Sequence, residues 1–170
     1  MPQTSPALSR ELARLIVREL DGCIRELQLF PDDEAVWRVV PGVTNSAGNL
    51  VRHLCGNLNH FIGACLCGTG FVRDRQAEFA ARAGSRDSLI AELRSTIVML
   101  ESTLVPLGDE RLDAPMPGAP NGLRTSVRFF LVHLVAHTAF HLGQLGYLRR
   151  ILHGEHASSA DPLPLTALAD

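Results

Sequence analysis

The spacing of apolar residues limits what this chain can fold into more than any other feature. Leu8, Leu12, Leu15, Ile16, Leu20, Ile24 and Leu27 recur at the three-and-four interval of one helix face. Pro31 stops that run, because its ring clashes with the preceding turn and it has no N–H to give. A second helix is predicted from a cap at Ser46, carrying Leu50, Val51, Leu54, Leu58, Phe61, Ile62 and Leu66 until Gly68 and Gly70 end it. A third opens at Ser85, with Asp87 in its first turn, and runs through Leu89, Leu93, Ile97, Leu100 and Leu104 to Pro106. Thr125 is the predicted cap of a fourth, which continues to about Leu152. No stretch alternates with the period of a strand. The expected fold class is therefore all-α, a four-helix bundle in which each helix buries one apolar face.

Two long connections, 67–84 and 107–124, exceed what a tight antiparallel hairpin needs, and the second holds Pro115, Pro117, Gly118, Pro120 and Gly122. Loops of this length carry function, contain a short extra helix or cross the bundle end. At 170 residues the chain is expected to form a single domain over 1–154, followed by a flexible tail over 155–170 that is rich in Ser, Ala and Pro.

Composition removes several function classes. All 16 basic residues are arginine, so no side chain can form a Schiff base or serve as the lysine of a phosphate-binding loop. A net charge of -2, with no basic run longer than Arg149-Arg150, argues against a nucleic-acid surface. Cys23, Cys55, Cys65 and Cys67 lie in apolar stretches and read as reduced core thiols. Cys65 and Cys67 have no second pair to complete a metal set. Arg10, Glu11 and Arg14 stand where a signal peptide needs an apolar core, so the expected location is the cytoplasm. The uncharged runs Leu54–Val72 and Phe129–Leu148 reach membrane length but hold asparagines, histidines and a glutamine, which are costly in lipid. They read as segments of a soluble bundle. The carboxylates are uneven: none lies between Glu34 and Asp74 or between Asp113 and Glu155, so a site built there is expected to lack a carboxylate of its own.

The chemistry concentrates in the fourth helix, at His133, His137, His141 and Gln144. At about 100° per residue these four share an arc of about 80° with Phe130 and Leu148. Histidines four apart can both reach one cation. His133 and His141 are about 12 Å apart along the axis, too far to share a small ion, which leaves His137 and His141 as the pair. His53 is the best third ligand, with Asn57 and His60 within about 40° of it on the second helix. The competing reading has these histidines hydrogen-bonded in the core or on the surface, and His60, His153 and His156 are assigned to it.

Asn49-Leu-Val-Arg-His53-Leu-Cys-Gly-Asn57, then Arg73-Asp-Arg75-Gln-Ala-Glu78-Phe79, then His133-x-x-x-His137-x-x-x-His141-x-Gly-Gln144 resemble the DinB-like superfamily of damage-inducible bacterial proteins, over Leu8 to Leu152. The resemblance implies a DinB-type bundle, usually a homodimer. It also implies a divalent ion (nickel, zinc, iron or manganese) on His53, His137 and His141. Relatives include transferases that use low-molecular-weight thiols and a mycothiol-dependent isomerase, and many have no assigned activity. Many also carry Glu directly after the first histidine of the pair. Here that place is Thr138, turned about 100° from His137, which argues against a protease that uses this Glu as its base.

Three neutral imidazoles leave a divalent ion its full charge and an open position, where bound thiol or water becomes acidic. Gln144 could hydrogen-bond a ligating imidazole or a substrate, or simply be a polar position near the bundle end. Asn57 stands beside His53. His133 is either a proton carrier or a buried histidine bonded to a backbone carbonyl. Arg52, Arg73 and Arg75 either receive the carboxylates of a thiol cosubstrate or solvate the surface. Three readings follow: a metal-dependent transferase or hydrolase acting on a small molecule with thiol or water, a non-catalytic metal-binding stress-response bundle, and a bundle without metal.

Overall fold

A computed structural model describes residues 7–154; the tail predicted over 155–170, with His156, lies outside them. Helix α1 spans Leu8–Gln28, α2 Asp33–Trp37, α3 Ala47–Leu58, α4 Arg75–Ala80, α5 Arg86–Thr103 and α6 Val127–His153. Helix α3 continues without a break as a π-helix over Asn59–Leu66. The long helices α1, α3, α5 and α6 form an all-α bundle: α1 and α3 each pack against both α5 and α6 and so stand at opposite corners. Ile16, Leu20, Leu27, Leu54, Leu58, Ile62, Leu89, Leu93, Leu100 and Leu134 meet in the core. Each such side chain contributes about 1.5–3 kcal/mol by leaving water. No helix among the described residues is long and apolar enough to cross a membrane.

Side-chain oxygens begin the helices as the sequence suggested, with one shift. Ser46 accepts from the Asn49 N–H in a reciprocal capping box, and Ser85 accepts from Ser88. Helix α6 starts one residue later than predicted, capped by Ser126, which accepts from Phe129 at 3.2 Å. Thr125 stands just before the cap, its carbonyl accepting from the Met116 N–H at 2.8 Å and so pairing the second connection with the helix entrance. Helix α1 has no cap of its own. Asp109, from the same connection, accepts from the N–H groups of Leu8 and Ser9 at 3.2 and 3.3 Å. The first connection holds the short α4, capped by Asp74, which accepts from Ala77 at 2.9 Å. Trp37 of α2 donates to the Gly84 carbonyl at 2.7 Å and lies over Gly48 of α3, where a Cβ would meet its ring at 2.7 Å.

Arg149, half of the longest basic run, does not face solvent. It is fully buried, its Nε 2.5 Å from Oε2 of Glu26, tying α6 to α1. All four cysteines are free; Cys23 and Cys55 are buried, while Cys65 and Cys67 are half-buried. Burial pushes the Cys55 thiol up to about 12 and the Cys23 thiol higher still, so neither is a nucleophile near neutral pH.

Candidate metal centre

Helices α3 and α6 run antiparallel along one seam of the bundle, and the seam brings three imidazoles together. Nε2 of His137 lies 3.0 Å from Nε2 of His141 and 3.4 Å from Nε2 of His53. One ligand atom from each of the three falls within 4.8 Å of the other two. Nitrogens at about 2.0–2.1 Å from a common ion are separated by about 3.0 Å when at right angles and about 3.4 Å when tetrahedral. The two separations from His137 therefore have the spacing of ligands on one ion, and His53 and His141 lie close enough to join it with a small shift.

The outer nitrogens decide how the rings present themselves. Nδ1 of His53 donates to Oε2 of Glu78 at 3.1 Å, and Nδ1 of His141 donates to Oε1 of Gln144 at 2.7 Å. Both bonds place the proton on Nδ1 and leave the Nε2 lone pair directed into the cluster. Without a cation, the neutral His137 ring can carry its proton on Nε2 and donate to the Nε2 lone pair of His141 at 3.0 Å. Nδ1 of His137 is buried with no hydrogen-bond partner among the described residues. The His137 pKa is lowered to about 4, first by burial, then by the charges of His141, His53, His133 and Arg73. Burial also lowers that of His141, against the bond to Gln144, with His53 adding to the lowering. Near neutral pH both rings are uncharged, the form that binds a metal.

Glu78 corrects the expectation that the site lacks a carboxylate. The gaps in sequence are real, but α4 folds back onto α3 and supplies Glu78 from outside both of them. Its carboxylate is buried and also accepts from Arg73, Nε to Oε1 at 2.6 Å and Nη2 to Oε2 at 2.8 Å. Burial alone would raise its pKa, but the hydrogen bonds and charges of Arg73 and His53 together outweigh burial and lower it. Arg73 is thus neither a solvated surface arginine nor free for a cosubstrate. Arg52 lies over the Trp37 ring at 5.7 Å and Arg75 over the Phe79 ring at 5.0 Å. The ring of Phe79 in turn covers His53, at 5.0 Å between centroids.

The other sequence candidates divide. Gln144 bonds a clustered ring directly. Asn57 is buried one turn from His53, its Oδ1 without a partner among the described residues, and it does not bond the rings. His133 is exposed rather than buried, and stacks on His137 at 5.8 Å and 26°. It sits about 40° round the helix from His137 on the side of the exposed Phe140, away from the core. Thr138 faces the core, fully buried, donating to the Leu134 carbonyl at 2.8 Å. His60 lies beside Cys65 at 3.7 Å, and His153 packs edge-on against Phe30. Glu78 stands in the second motif but was not singled out as a site residue, and Arg73 was weighed only for a cosubstrate or the surface, not as the partner of Glu78. Gly56 in mid-helix was the available sign that something approaches α3 closely.

The model of the DinB superfamily matches residues 15–145 of the chain. Among solved structures, the crystal structure of a conserved protein from Enterococcus faecalis is similar, with a TM-score of 0.68 at 15% identity, covering 88% of this chain and 99% of that one. At that identity the likeness shows the fold. No curated protein matches the chain.

Proposed function

The chain belongs to the DinB superfamily, and on that premise we propose that His53, His137 and His141 hold one divalent metal ion through their Nε2 atoms. We infer further that the protein is a metal-dependent transferase or hydrolase acting on a small electrophile, with a low-molecular-weight thiol as the preferred cosubstrate. The observation that carries this reading is the convergence of the three Nε2 atoms. Imidazole suits nickel, zinc, iron and manganese to different degrees, and zinc is the first to test. When bound, such an ion lowers the pKa of a thiol or water beside it toward neutrality.

The protein's own part is positional. Glu78 and Gln144 fix the tautomers of His53 and His141. His133, exposed and stacked on His137, is placed to carry a proton between the site and solvent. The free cysteines suit the reducing cytoplasm. A non-catalytic metal-binding stress protein is the second reading. It is favoured by Glu78, whose carboxylate is held by Arg73 and His53 on the outer side of the ring and so serves to orient it.

We also propose a homodimer, as the resemblance implies. Helix α6 exposes Phe129, Val132, Phe140 and Tyr147 in one stripe beside the imidazoles, with the Arg150 guanidinium over the Tyr147 ring at its end, and a second copy would cover it. Sedimentation of a Phe140→Asp, Tyr147→Asp variant is expected to give a monomer where the natural chain gives a dimer.

Metal analysis on protein purified without a histidine tag tests the centre. About one equivalent is expected, and a wild-type chain that stays metal-free after reconstitution sinks the reading. Metal-loaded protein incubated with a panel of bacterial thiols and monochlorobimane tests catalysis. No turnover above the triple histidine variant would leave the non-catalytic reading in place.

A further inference from the structure

Gly56 lies two residues before α3 passes into the π-segment, inside one unbroken helix where glycine is weaker than alanine, and it is not among the glycines with positive φ. What requires it is Glu78. A Cβ on residue 56 would stand 2.0 Å from Oε1 of Glu78 and 2.8 Å from its Cδ. A free glutamate would swing aside at little cost, but this one is held by Arg73 and His53, so moving it breaks those bonds. Two turns earlier on the same helix, the buried Asn49 donates from Nδ2 to the carbonyls of Glu78 and Ala81, both at 2.9 Å. Helix α4 is thereby fixed at its backbone by Asn49, while its carboxylate lies flat on the bare backbone of Gly56.

We propose that Asn49 and Gly56 form a seat on α3 for α4, and that the seat exists to deliver the Glu78 carboxylate to Nδ1 of His53. Asn49, Gly56 and Glu78 are then positioning residues for His53. The purpose of the seat rests on the metal reading above, but its geometry does not.

Arg73 gives the seat its importance. Its Nη2 lies 3.1 Å from Nδ1 of His53 and has only protons to offer. With Glu78 in place, that group donates to Oε2 and the His53 Nδ1–H has the carboxylate as acceptor. With Glu78 displaced, the guanidinium donates to Nδ1 itself. The imidazole proton then moves to Nε2, and the lone pair that faces His137 is lost. Gly56→Ala therefore disturbs His53 although every hydrogen-bonding side chain remains.

The test uses the full chain and two measurements. Nitrogen-15 NMR of the metal-free protein reads the His53 tautomer, and competition against a chromophoric chelator reads zinc affinity. In the natural chain, His53 is expected to carry its proton on Nδ1. In Gly56→Ala the proton is expected on Nε2, with zinc affinity lower by about 10–100-fold. Glu78→Ala is expected to do the same, and Gly56→Ala added to Glu78→Ala to cost nothing more, since both act through one carboxylate. Arg73→Ala added to Glu78→Ala should restore part of the lost affinity. The seat is overturned if Gly56→Ala keeps both the tautomer and the zinc affinity of the natural chain, or if its effect adds in full to that of Glu78→Ala. Failure of the natural chain to bind zinc would remove the metal reading alone, and the tautomer comparison would still decide for or against the seat.

Discussion

The two walls of the histidine cluster are built differently. On the α6 side, His137, His141 and Gln144 come from one helix, and Gln144 reaches His141 across three residues. Their geometry is that of the helix itself. On the α3 side, His53 is oriented by a residue 25 positions further along, brought back by a six-residue helix on a long connection. The first wall forms wherever α6 forms. The second forms only if the connection docks, so the position of His53 depends on tertiary contacts that can be lost one at a time.

The sharpest way to break this comparison is to remove the local wall. His137→Ala with His141→Ala is expected to abolish metal binding, taking the stoichiometry from about one to zero, as read by elemental analysis. The helix should survive, since alanine is the best helix former and both rings lie at the edge of the core. Next in size is the contrast between the two supports. Glu78→Ala is expected to weaken zinc binding by about 10–100-fold, whereas Gln144→Ala removes one neutral, local bond and should cost at most about tenfold. Chelator competition gives both numbers, and equal losses would mean that the walls are not different in kind.

Acid titration sharpens the contrast in the metal-free protein. His137 is lowered from 6.5 to about 4 by burial and its neighbours, so below pH 6.5 the unfolded chain takes up a proton that the folded chain refuses. Its contribution to stability is complete above 6.5 and is lost as the pH falls toward about 4. Urea midpoints across that window should fall less steeply for His137→Ala than for the natural chain. The smallest effect belongs to Thr138. Thr138→Val should leave zinc affinity unchanged and alter stability by about 1 kcal/mol, because its hydroxyl serves only the Leu134 carbonyl inside the helix. A fall in zinc affinity would place that residue in the site after all.

The same contrast explains what could be read from sequence. The long helices were legible because each repeats its apolar residues over many turns, as in Leu8 to Leu27. Helices α2 and α4 were not, since five and six residues are too few to show a period. The α6 face was legible down to the neighbourhood of His141 and Gln144, because spacing along a helix fixes which side chains are close. His53 was picked out by its place at the edge of the apolar stripe of the second helix, and the order of motifs then pointed to the same residue. Of the two alternatives for His133 the buried one failed, because an arc of about 80° spans both the edge of the core and solvent. Glu78 was missed because gaps in a sequence are one-dimensional: the acid-free stretch around His53 says nothing about which loop folds over it.

Helix α3 has a further property. Directly beyond the turns bearing His53 and Asn57 it widens into eight residues of π-helix, whose hydrogen bonds span five residues rather than four. Relative to an uninterrupted α-helix, every side chain after the widening is set back around the axis. Removing one residue between 59 and 66 would let the coil tighten to an ordinary α-helix, with the far half still turned toward the core and His53 and Gly56 left where they stand. The π-segment thus works as a vernier between the two halves of one rod. A length change that would scramble a plain helix is absorbed here, so that the half carrying the histidine and the half beyond the widening each keep their own face.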